Sequence, residues 1–536
     1  MGKSPTSIIV WIEAAAAVFL LNLSLTFVNV WPTPAIIWRG GLSLEFALYV
    51  LALCCIAEMR NGVHPRRLVA WISAVWVLLV LGRYADVTAP ALYGRDINLY
   101  WDLRFIPDVV SMVTRVAPLW LLVVALAGVV LFVVMLYAIV GWAWRRVADM
   151  AATPNPRRTL AALAMAAVIL FAAARVSGRG GADSSFPTPV VETYARQIRL
   201  VATAVAAPRS LAPSPPMSSD LSRIAGADVL LIFIESYGAV AYDRPTFASG
   251  LAGRRAEFEA AIHDTHRASA SAFVESPTFG GGSWLAHISL LSGIEVRDPD
   301  TNALLMTQRR DTMAKAFARR GYRTVAWMPG MRQRWPEGRF YGFDDIYGAD
   351  RLAYRGPEFG WFAIPDQYSL DRLDAFEVNR PSRQPLFVFF PTISTHFPFS
   401  PTPPYQPDWR RLTDPHPYDG PDIVRAYARE PNWVDFGPGY VDALSYDFTS
   451  IAGYLRKQAD RDMVMIVLGD HQPPAAVSGE HASWDVPVHV IAGRQAVLDR
   501  LVSHGFQRGF TPRRPSLGRM HTLLPMLLEA FGDSRP

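Results

Sequence analysis

Four short stretches in the second half of the chain carry side chains that could hold a cation and a nucleophile. Glu235-Ser236-Tyr237-Gly238 follows one apolar run, Gly469-Asp470-His471 follows another, and Thr395-His396-Phe397-Pro398-Phe399 comes shortly after a third. One Glu, one Asp and one His make a mixed oxygen and nitrogen donor set that suits zinc or manganese. The fourth stretch runs from Ser276 to Ile288 and contains Gly280-Gly281-Gly282-Ser283-Trp284. Three glycines, a serine and then an apolar helical pattern predict a tight turn opening a helix. The N–H groups and dipole at such a terminus favour a tetrahedral anion. A metal on the hydroxyl would lower its pKa and orient it for in-line attack. Plainer readings stand beside these: an Asp-His pair after a strand is often an ordinary loop, and a serine after glycines is a common helix N-cap. The functional reading gains its weight from convergence on one face.

That convergence depends on the elements before each stretch. Residues 227–234, 323–328, 386–390 and 463–468 are continuous apolar runs separated by helical patterns. Such runs predict buried strands of a mainly parallel sheet in an α/β domain. Ligands in these domains gather at the carboxyl ends of the strands, where Glu235, His396, Asp470 and His471 follow.

The chain has 536 residues, 51% hydrophobic and only 18% charged. A soluble protein carries about 25% charged residues, and the deficit falls in the first third. Apolar segments near 7–30, 41–57, 68–82, 117–142 and 159–174 predict five membrane spans. The first, long and containing Glu13, lacks a convincing cleavage site for a signal peptide. Arg60, Arg66 and Arg67 mark the second connection as cytoplasmic, and Arg145, Arg146, Arg157 and Arg158 mark the fourth. The amino terminus is then inside and everything after Arg175 outside. The third connection, about 83–116, mixes Arg83, Arg95, Arg104 and Arg115 with four aspartates and holds Tyr93, Tyr100, Trp101 and Phe105. It reads equally as a loop lying on the membrane surface or as a plain exposed loop. Glu13 and Glu45 fall near span ends, as functional acids or as side chains snorkelling to the interface. The organisation is a membrane domain over 1–176, a Gly- and Pro-rich linker over 177–224 with one helix near 188–206, and an outer catalytic domain over 225–536.

The order Glu-Ser, Gly-Gly-Ser, Thr-His-Phe-Pro-Phe, Gly-Asp-His resembles the sulfatase/alkaline phosphatase superfamily. Within it, the lipoteichoic acid synthases and phosphoglycerol or phosphoethanolamine transferases are the most similar branch. The resemblance covers roughly 225–500 and the membrane architecture. It implies that Glu235, Asp470, His471 and Ser283 bind one divalent ion, manganese or zinc, with Ser283 as nucleophile. The branch usually has threonine there. His396 would contact the substrate phosphate or protonate the leaving group, Trp335, in Arg334-Trp335-Pro336, would contact substrate, and His481, ten residues after His471, would be a further substrate or metal group. Asp447, in a Tyr-rich stretch from Tyr440, is displaced from the branch's pattern and receives no role. Ser283-Trp284-Leu285-Ala286-His287 does not fit the formylglycine motif of arylsulfatases, and Thr278 is the alternative nucleophile.

The implied activity moves a phospholipid headgroup, phosphoglycerol or phosphoethanolamine, to an envelope glycan or lipid through a phospho-serine. An integral protein of a bacterial inner membrane, with its catalytic domain in the periplasm or outside the cell, would do this. Rival readings are a phosphate or sulfate ester hydrolase and a non-enzymatic envelope-binding scaffold. The net charge of +5 is scattered, with no basic run for nucleic acid. Adjacent Cys54 and Cys55 exclude a disulfide framework.

Overall fold

The computed structural model describes residues 5–31, 33–61, 66–94, 96–103, 106, 110, 119–176, 186–206, 211–332, 335, 337–360, 362–429, 431–432 and 434–533. The chain divides into two compact units, Met1–Ala207 and Pro208–Pro536. The boundary falls inside the stretch 177–224.

In the first unit each apolar segment becomes a helix: Pro5–Thr26, Leu44–Met59, Arg66–Tyr93, Leu119–Ala152 and Pro154–Val176. Against five expected spans, three helices among the described residues are long and apolar enough to cross a membrane: Arg66–Tyr93, Trp120–Ala152 and Pro154–Val176. The third and fourth overrun their apolar segments because their charges find partners. Arg83 stays inside its helix, donating from Nε and Nη2 to the Phe27 carbonyl at 3.1 and 2.9 Å. The helix therefore runs on to Tyr93, into the stretch read as a loop. Arg146 pairs with Glu13 at 3.0 Å, and the fourth helix continues past it, so that Thr153 alone separates it from the next. Neither acid is a bare snorkelling side chain. Glu45 is buried and accepts from the Val190 N–H and Ser43 Oγ. Strands β1 (Phe27–Asn29) and β2 (Ile36–Trp38) form a short antiparallel ribbon between the first two helices. Residues 190–206 are helical, near the predicted 188–206. In the third connection, Phe105 lies outside the described residues, as do the side chains of Tyr100 and Trp101.

The second unit is built on an eight-stranded sheet. Its strands are β3 (Asp228–Ile234), β4 (Ala268–Glu275), β5 (Arg323–Trp327), β6 (Asp345–Tyr347), β7 (Leu386–Pro391), β8 (Met463–Gly469), β9 (Asp485–Ala492) and β10 (Gln507–Arg508). The spatial order is β10-β4-β9-β8-β3-β7-β5-β6. The four strands legible as apolar runs, β8, β3, β7 and β5, are contiguous and mutually parallel. The β9, β4 and β10 side is antiparallel, so the sheet is mixed with a parallel centre. Both faces are covered. Val229, Leu231 and Phe233 of β3 enter one core, and Leu230, Ile232 and Ile234 enter the other, as the two-residue period of a strand requires.

Candidate active site

The centre of the sheet sets the site. β3 and β8 pair in parallel register through Ile234 and Gly469, so Glu235 and Asp470-His471 emerge side by side. Gly469 permits the close approach: a Cβ there would meet the Tyr237 carbonyl oxygen at 1.8 Å. The chain after Glu235 turns through Ser236, a non-glycine residue at φ +59°. This places the Ser236 N–H 2.8 Å from Asp470 Oδ1. The His471 N–H donates to the same oxygen at 2.7 Å, leaving Oδ2 to face the site.

Ser283 arrives from the other side. Gly280, Gly281 and Gly282 all have positive φ, at 67, 142 and 76°, a backbone run open to glycine at least strain. The loop is tied down by Gly280 N–H donating to the Gln472 carbonyl at 3.1 Å and by Thr278 Oγ1 donating to the Gly281 carbonyl. Thr278 thus has a structural task in the turn. The helix Ser283–Ser292 begins at once, with Ser283 in its first turn. Ser283 Oγ lies 2.8 Å from Glu235 Oε2 and 3.2 Å from His471 Nε2.

These groups fit a divalent metal. Carboxylate oxygens of Glu235 and Asp470 and a ring nitrogen of His471 lie within 4.8 Å of one another. His471 Nε2 is 3.4 Å from Glu235 Oε1 and 3.6 Å from Asp470 Oδ2. Bonds of 2.0–2.2 Å in a tetrahedron imply ligand-to-ligand edges of roughly 3.3–3.6 Å. His471 Nδ1 faces the Gln472 carbonyl at 2.8 Å, which fixes the tautomer and leaves the Nε2 lone pair for a cation. Electrostatics agree. Burial, then the Glu235 charge, push Asp470 up to about 8. Burial opposes charge on His471, but Asp470 and Glu235 raise it to about 9. Burial opposes ionisation of Glu235, yet His471 holds it well below the usual carboxylate range. Two buried carboxylates this close call for positive charge between them.

A second layer holds the first. Glu235 N–H donates to Thr392 Oγ1 at 3.2 Å, and Thr395 Oγ1 donates to the Glu235 carbonyl. Thr392 in turn donates to Asp447 Oδ2 at 2.9 Å. Asp366 accepts from the Ile393 and Ser394 N–H groups at 3.1 and 2.6 Å. Both acids are buried, Asp447 at 0% and Asp366 at 2% exposure. Burial pushes Asp366 up to about 6, and burial together with the Asp366 charge pushes Asp447 well above its ordinary value. His287, one helical turn after Ser283, packs its ring against Phe233 and Phe389 at 4.6 and 5.2 Å. Its Nε2 has no partner among the described residues, and burial lowers its pKa to about 3, keeping it neutral. Sequence reasoning gave no role to Asp366, Asp447, Thr392 or His287. The Tyr-rich helix Gly437–Lys457 was the one available pointer to Asp447.

The remaining candidates lie further out. His396 is half-buried, with Nδ1 2.7 Å from the Phe397 carbonyl and its ring edge-on to Phe362, and its charge acts on Glu235. Trp335 packs on Tyr341 at 5.0 Å; its neighbours Arg334 and Pro336 lie outside the described residues. His481 does not join the cluster. Its side chain is 91% exposed and lies 3.6 Å from Glu480, because the chain after Ala475–Ser478 turns outward through left-handed backbone at Gly479 and His481.

Residues 296–490 match the family model described as Sulfatase. That stretch holds His396, Asp470 and His471, while Glu235 and Ser283 precede it. No curated protein sequence matches the chain. Among solved structures, the chain is similar to the integral membrane lipooligosaccharide phosphoethanolamine transferase A from Neisseria meningitidis. The identity is 13%, the match covers 90% of this chain and 87% of that one, and the TM-score is 0.43. It is also similar to the lipoteichoic acid synthase LtaP from Listeria monocytogenes, with 14% identity, 61% and 78% coverage and a TM-score of 0.38. For the Streptococcus pyogenes phosphoglycerol transferase GacH in complex with sn-glycerol-1-phosphate the values are 13%, 57%, 85% and 0.35.

Proposed function

We propose, from the match of residues 296–490 to the Sulfatase family model, that the chain is a membrane-anchored phosphotransferase of the alkaline phosphatase superfamily. It moves a phosphoglycerol or phosphoethanolamine headgroup from a membrane lipid to an envelope glycan or lipid. The observation that carries the reading is one constellation. Ser283 stands at a helix amino terminus within 2.8 Å of Glu235 and 3.2 Å of His471, in a chain whose other unit holds three helices of membrane-spanning length.

Glu235, Asp470, His471 and Ser283 would hold one divalent ion, manganese or zinc, which would lower the pKa of the hydroxyl and offset charge on the non-bridging oxygens. The chain's own groups do the rest. Ser283 Oγ attacks phosphorus; the P–Oγ bond forms as the bond to the diacylglycerol oxygen breaks. The Ser283 proton has an acceptor in Glu235 Oε2. N–H groups of the first helical turn face the phosphoryl oxygens. His396 protonates the departing diacylglycerol, then takes the proton of the acceptor hydroxyl as that oxygen displaces Ser283. Trp335 and His481 are proposed to contact substrate beyond the phosphate. The arginine distribution supports a bacterial inner-membrane protein with the catalytic unit outside the cytoplasm.

The test is intact-mass analysis of the full chain in detergent, supplied with manganese or zinc and fluorescent phosphatidylglycerol or phosphatidylethanolamine. A headgroup-phosphate adduct with diacylglycerol release, absent in Ser283→Ala, is the expected result. Metal-loaded protein that yields neither adduct nor diacylglycerol from either lipid overturns the transferase reading and leaves a phosphate or sulfate ester hydrolase.

A further inference from the structure

A cavity of about 480 Å³ opens in the unit Met1–Ala207. It lies at the end of the bundle where the helices Pro5–Thr26 and Pro154–Val176 both finish, and Thr26 and Arg175 are among its walls. Its charged lining is Arg39, Arg83, Arg175 and Glu192. Three guanidinium groups against one carboxylate make a basic hollow on a hydrophobic unit. The size falls in the roughly 300–1,000 Å³ range of small-molecule sites.

The three arginines differ in what they are free to do. Arg83 is committed: its side chain is 4% exposed, its Nε and Nη2 donate to the Phe27 carbonyl, and Asp86 lies 3.8 Å away. Its charge at the wall is offset by Asp86 and by the buried Glu45, which both act on it. Arg175 lies over the Phe171 ring at 5.5 Å and pairs with Glu192. Both partners are more than half exposed, at 54% and 51%, and an exposed pair of this kind contributes little stability. It can exchange Glu192 for a better acceptor. Arg39 is exposed, with no hydrogen-bond or ion-pair partner among the described residues. Arg39 and Arg175 are therefore available to one anion, and paired guanidinium groups recognise phosphate oxygens in a bidentate manner.

Apart from Thr26, Thr188 and Gly41, the rest of the lining is apolar. Phe171 and Phe186 meet edge to face at 5.5 Å, with Pro187 and Pro189 beside them. The helix that supplies Phe171 and Arg175 carries exposed Leu163, Ile169 and Leu170, so the apolar surface continues down a helix of spanning length. A ligand that fits has an anionic head and a hydrocarbon tail. We infer that the cavity is a phospholipid site, holding the headgroup phosphate between Arg39 and Arg175 with an acyl chain along Pro154–Val176. Basic pockets among membrane helices take lipid headgroups by the same electrostatics. The inference concerns binding alone and requires no transfer reaction.

The test is native mass spectrometry of the delipidated full chain titrated with three ligands. These are phosphatidylglycerol, a galactosyl diacylglycerol with the same tails and no phosphate, and sn-glycerol 1-phosphate with no tails. One phosphatidylglycerol binds, at least tenfold more tightly than the galactolipid and at least a hundredfold more tightly than glycerol phosphate. The Arg39→Gln/Arg175→Gln double variant weakens phosphatidylglycerol by tenfold or more. Glu192→Gln frees Arg175 and tightens it severalfold, and carries the test should the double variant fail to fold. The loss in the Arg39→Gln/Arg175→Gln variant assigns the binding to this cavity rather than to the serine, since neither arginine belongs to that site. Equal affinity for the phosphate-free lipid, equal affinity for glycerol phosphate, or Kd values unchanged in the double variant and in Glu192→Gln overturns the inference.

Discussion

Asp447→Asn should make the outer unit more stable at neutral and alkaline pH, an unusual sign for a buried polar residue. Asp366 and Asp447 are both enclosed, and Asp447 Oδ1 has no donor among the described residues. Asp366 already accepts two backbone N–H groups, so it is the member that suits the ionised form. Asp447 then holds the proton and turns it to Asp366. The groups around the pair are otherwise uncharged: Thr392, Thr395, Ser394 and the Tyr446 hydroxyl. The folded state keeps protons that the unfolded chain has shed. Its advantage is whole below the ordinary aspartate value near 3.8 and is lost as pH rises through the folded value. Burial places the folded value of Asp366 at about 6. A move from 3.8 to about 6 is worth about 3 kcal/mol, lost between those pH values in wild type and variant alike. Asp447, raised well above its ordinary value, carries a further loss at higher pH, and this is the part the variant escapes. Asparagine supplies the same donor without needing a proton, and its carbonyl accepts from Thr392 as Asp447 Oδ2 does. The assay is thermal melting of the full chain in detergent from pH 5 to 8.5. Saturating manganese holds Glu235, Asp470 and His471 in one state throughout. The variant should match wild type near pH 5 and melt roughly 5 °C higher at pH 8. A variant whose curve runs parallel to wild type, or below it at pH 8, would refute the shared-proton account.

Four further outcomes follow from the same geometry. Ser283→Ala should lower headgroup transfer by at least about a thousandfold while Glu235, Asp470 and His471 still retain metal at saturating concentration, measured by diacylglycerol release and by elemental analysis. His471→Ala should weaken manganese or zinc by more than the 10- to 100-fold typical of residues that merely orient a ligand. In wild type the apparent metal affinity should rise from pH 6 to 9, because Asp470, at about 8, and His471, at about 9, must release protons to bind. Calorimetry in buffers of different ionisation enthalpy reads that release, and a flat pH profile counts against these residues as ligands. Gly469→Ala puts a methyl 1.8 Å from the Tyr237 carbonyl oxygen. It should cost more than about 3 kcal/mol, seen as loss of folded protein or a large fall in melting temperature.

What was legible in the sequence follows burial. β3, β5, β7 and β8 sit in the parallel centre, covered on both faces, and read as apolar runs because nothing polar is tolerated there. β4, with Ala268-Ser269-Ala270-Ser271, and β9, with Asp485, Pro487 and His489, are also buried but interrupted by small or polar residues. Their polar groups are satisfied inside the fold. His489 Nδ1 meets Ser271 Oγ at 2.7 Å and its Nε2 meets the Tyr237 hydroxyl at 3.0 Å. Pro487 is tolerated because the pairing of β9 with β8 starts only at Val488. No one-dimensional apolar pattern shows such compensation. The ends of the membrane helices were misjudged for a related reason. Arg83 and Arg146 look like loop charges until Phe27 and Glu13 are seen to meet them. Glu235, Asp470 and His471 were readable because they follow legible strands, and Ser283 because glycine marks a backbone that other residues avoid. Asp366, Asp447 and His287 belong to helices, and their importance lies in what packs against them.

The two layers of the site are stabilised by different means, and this bears on how the metal and the fold depend on each other. Asp470 Oδ1 is held by two backbone N–H groups and His471 Nδ1 by a backbone carbonyl. Glu235 is clamped at both its N–H and its carbonyl by Thr392 and Thr395. The donor atoms are therefore positioned by the main chain of β3, β8 and the loop after β7, independently of what they bind. A metal gains affinity from such preorganisation because little ordering remains to be done on binding. The stability it returns is then set by its concentration relative to its Kd, about 2.7 kcal/mol at a hundredfold excess, rather than by assembly of the site. The acid pair beneath is the part whose disruption would move the loop carrying His396, since Asp366 holds the Ile393 and Ser394 N–H groups directly. Changes at Asp366 should alter transfer through His396 more than metal affinity, whereas changes at Asp447 also reach Glu235 through Thr392.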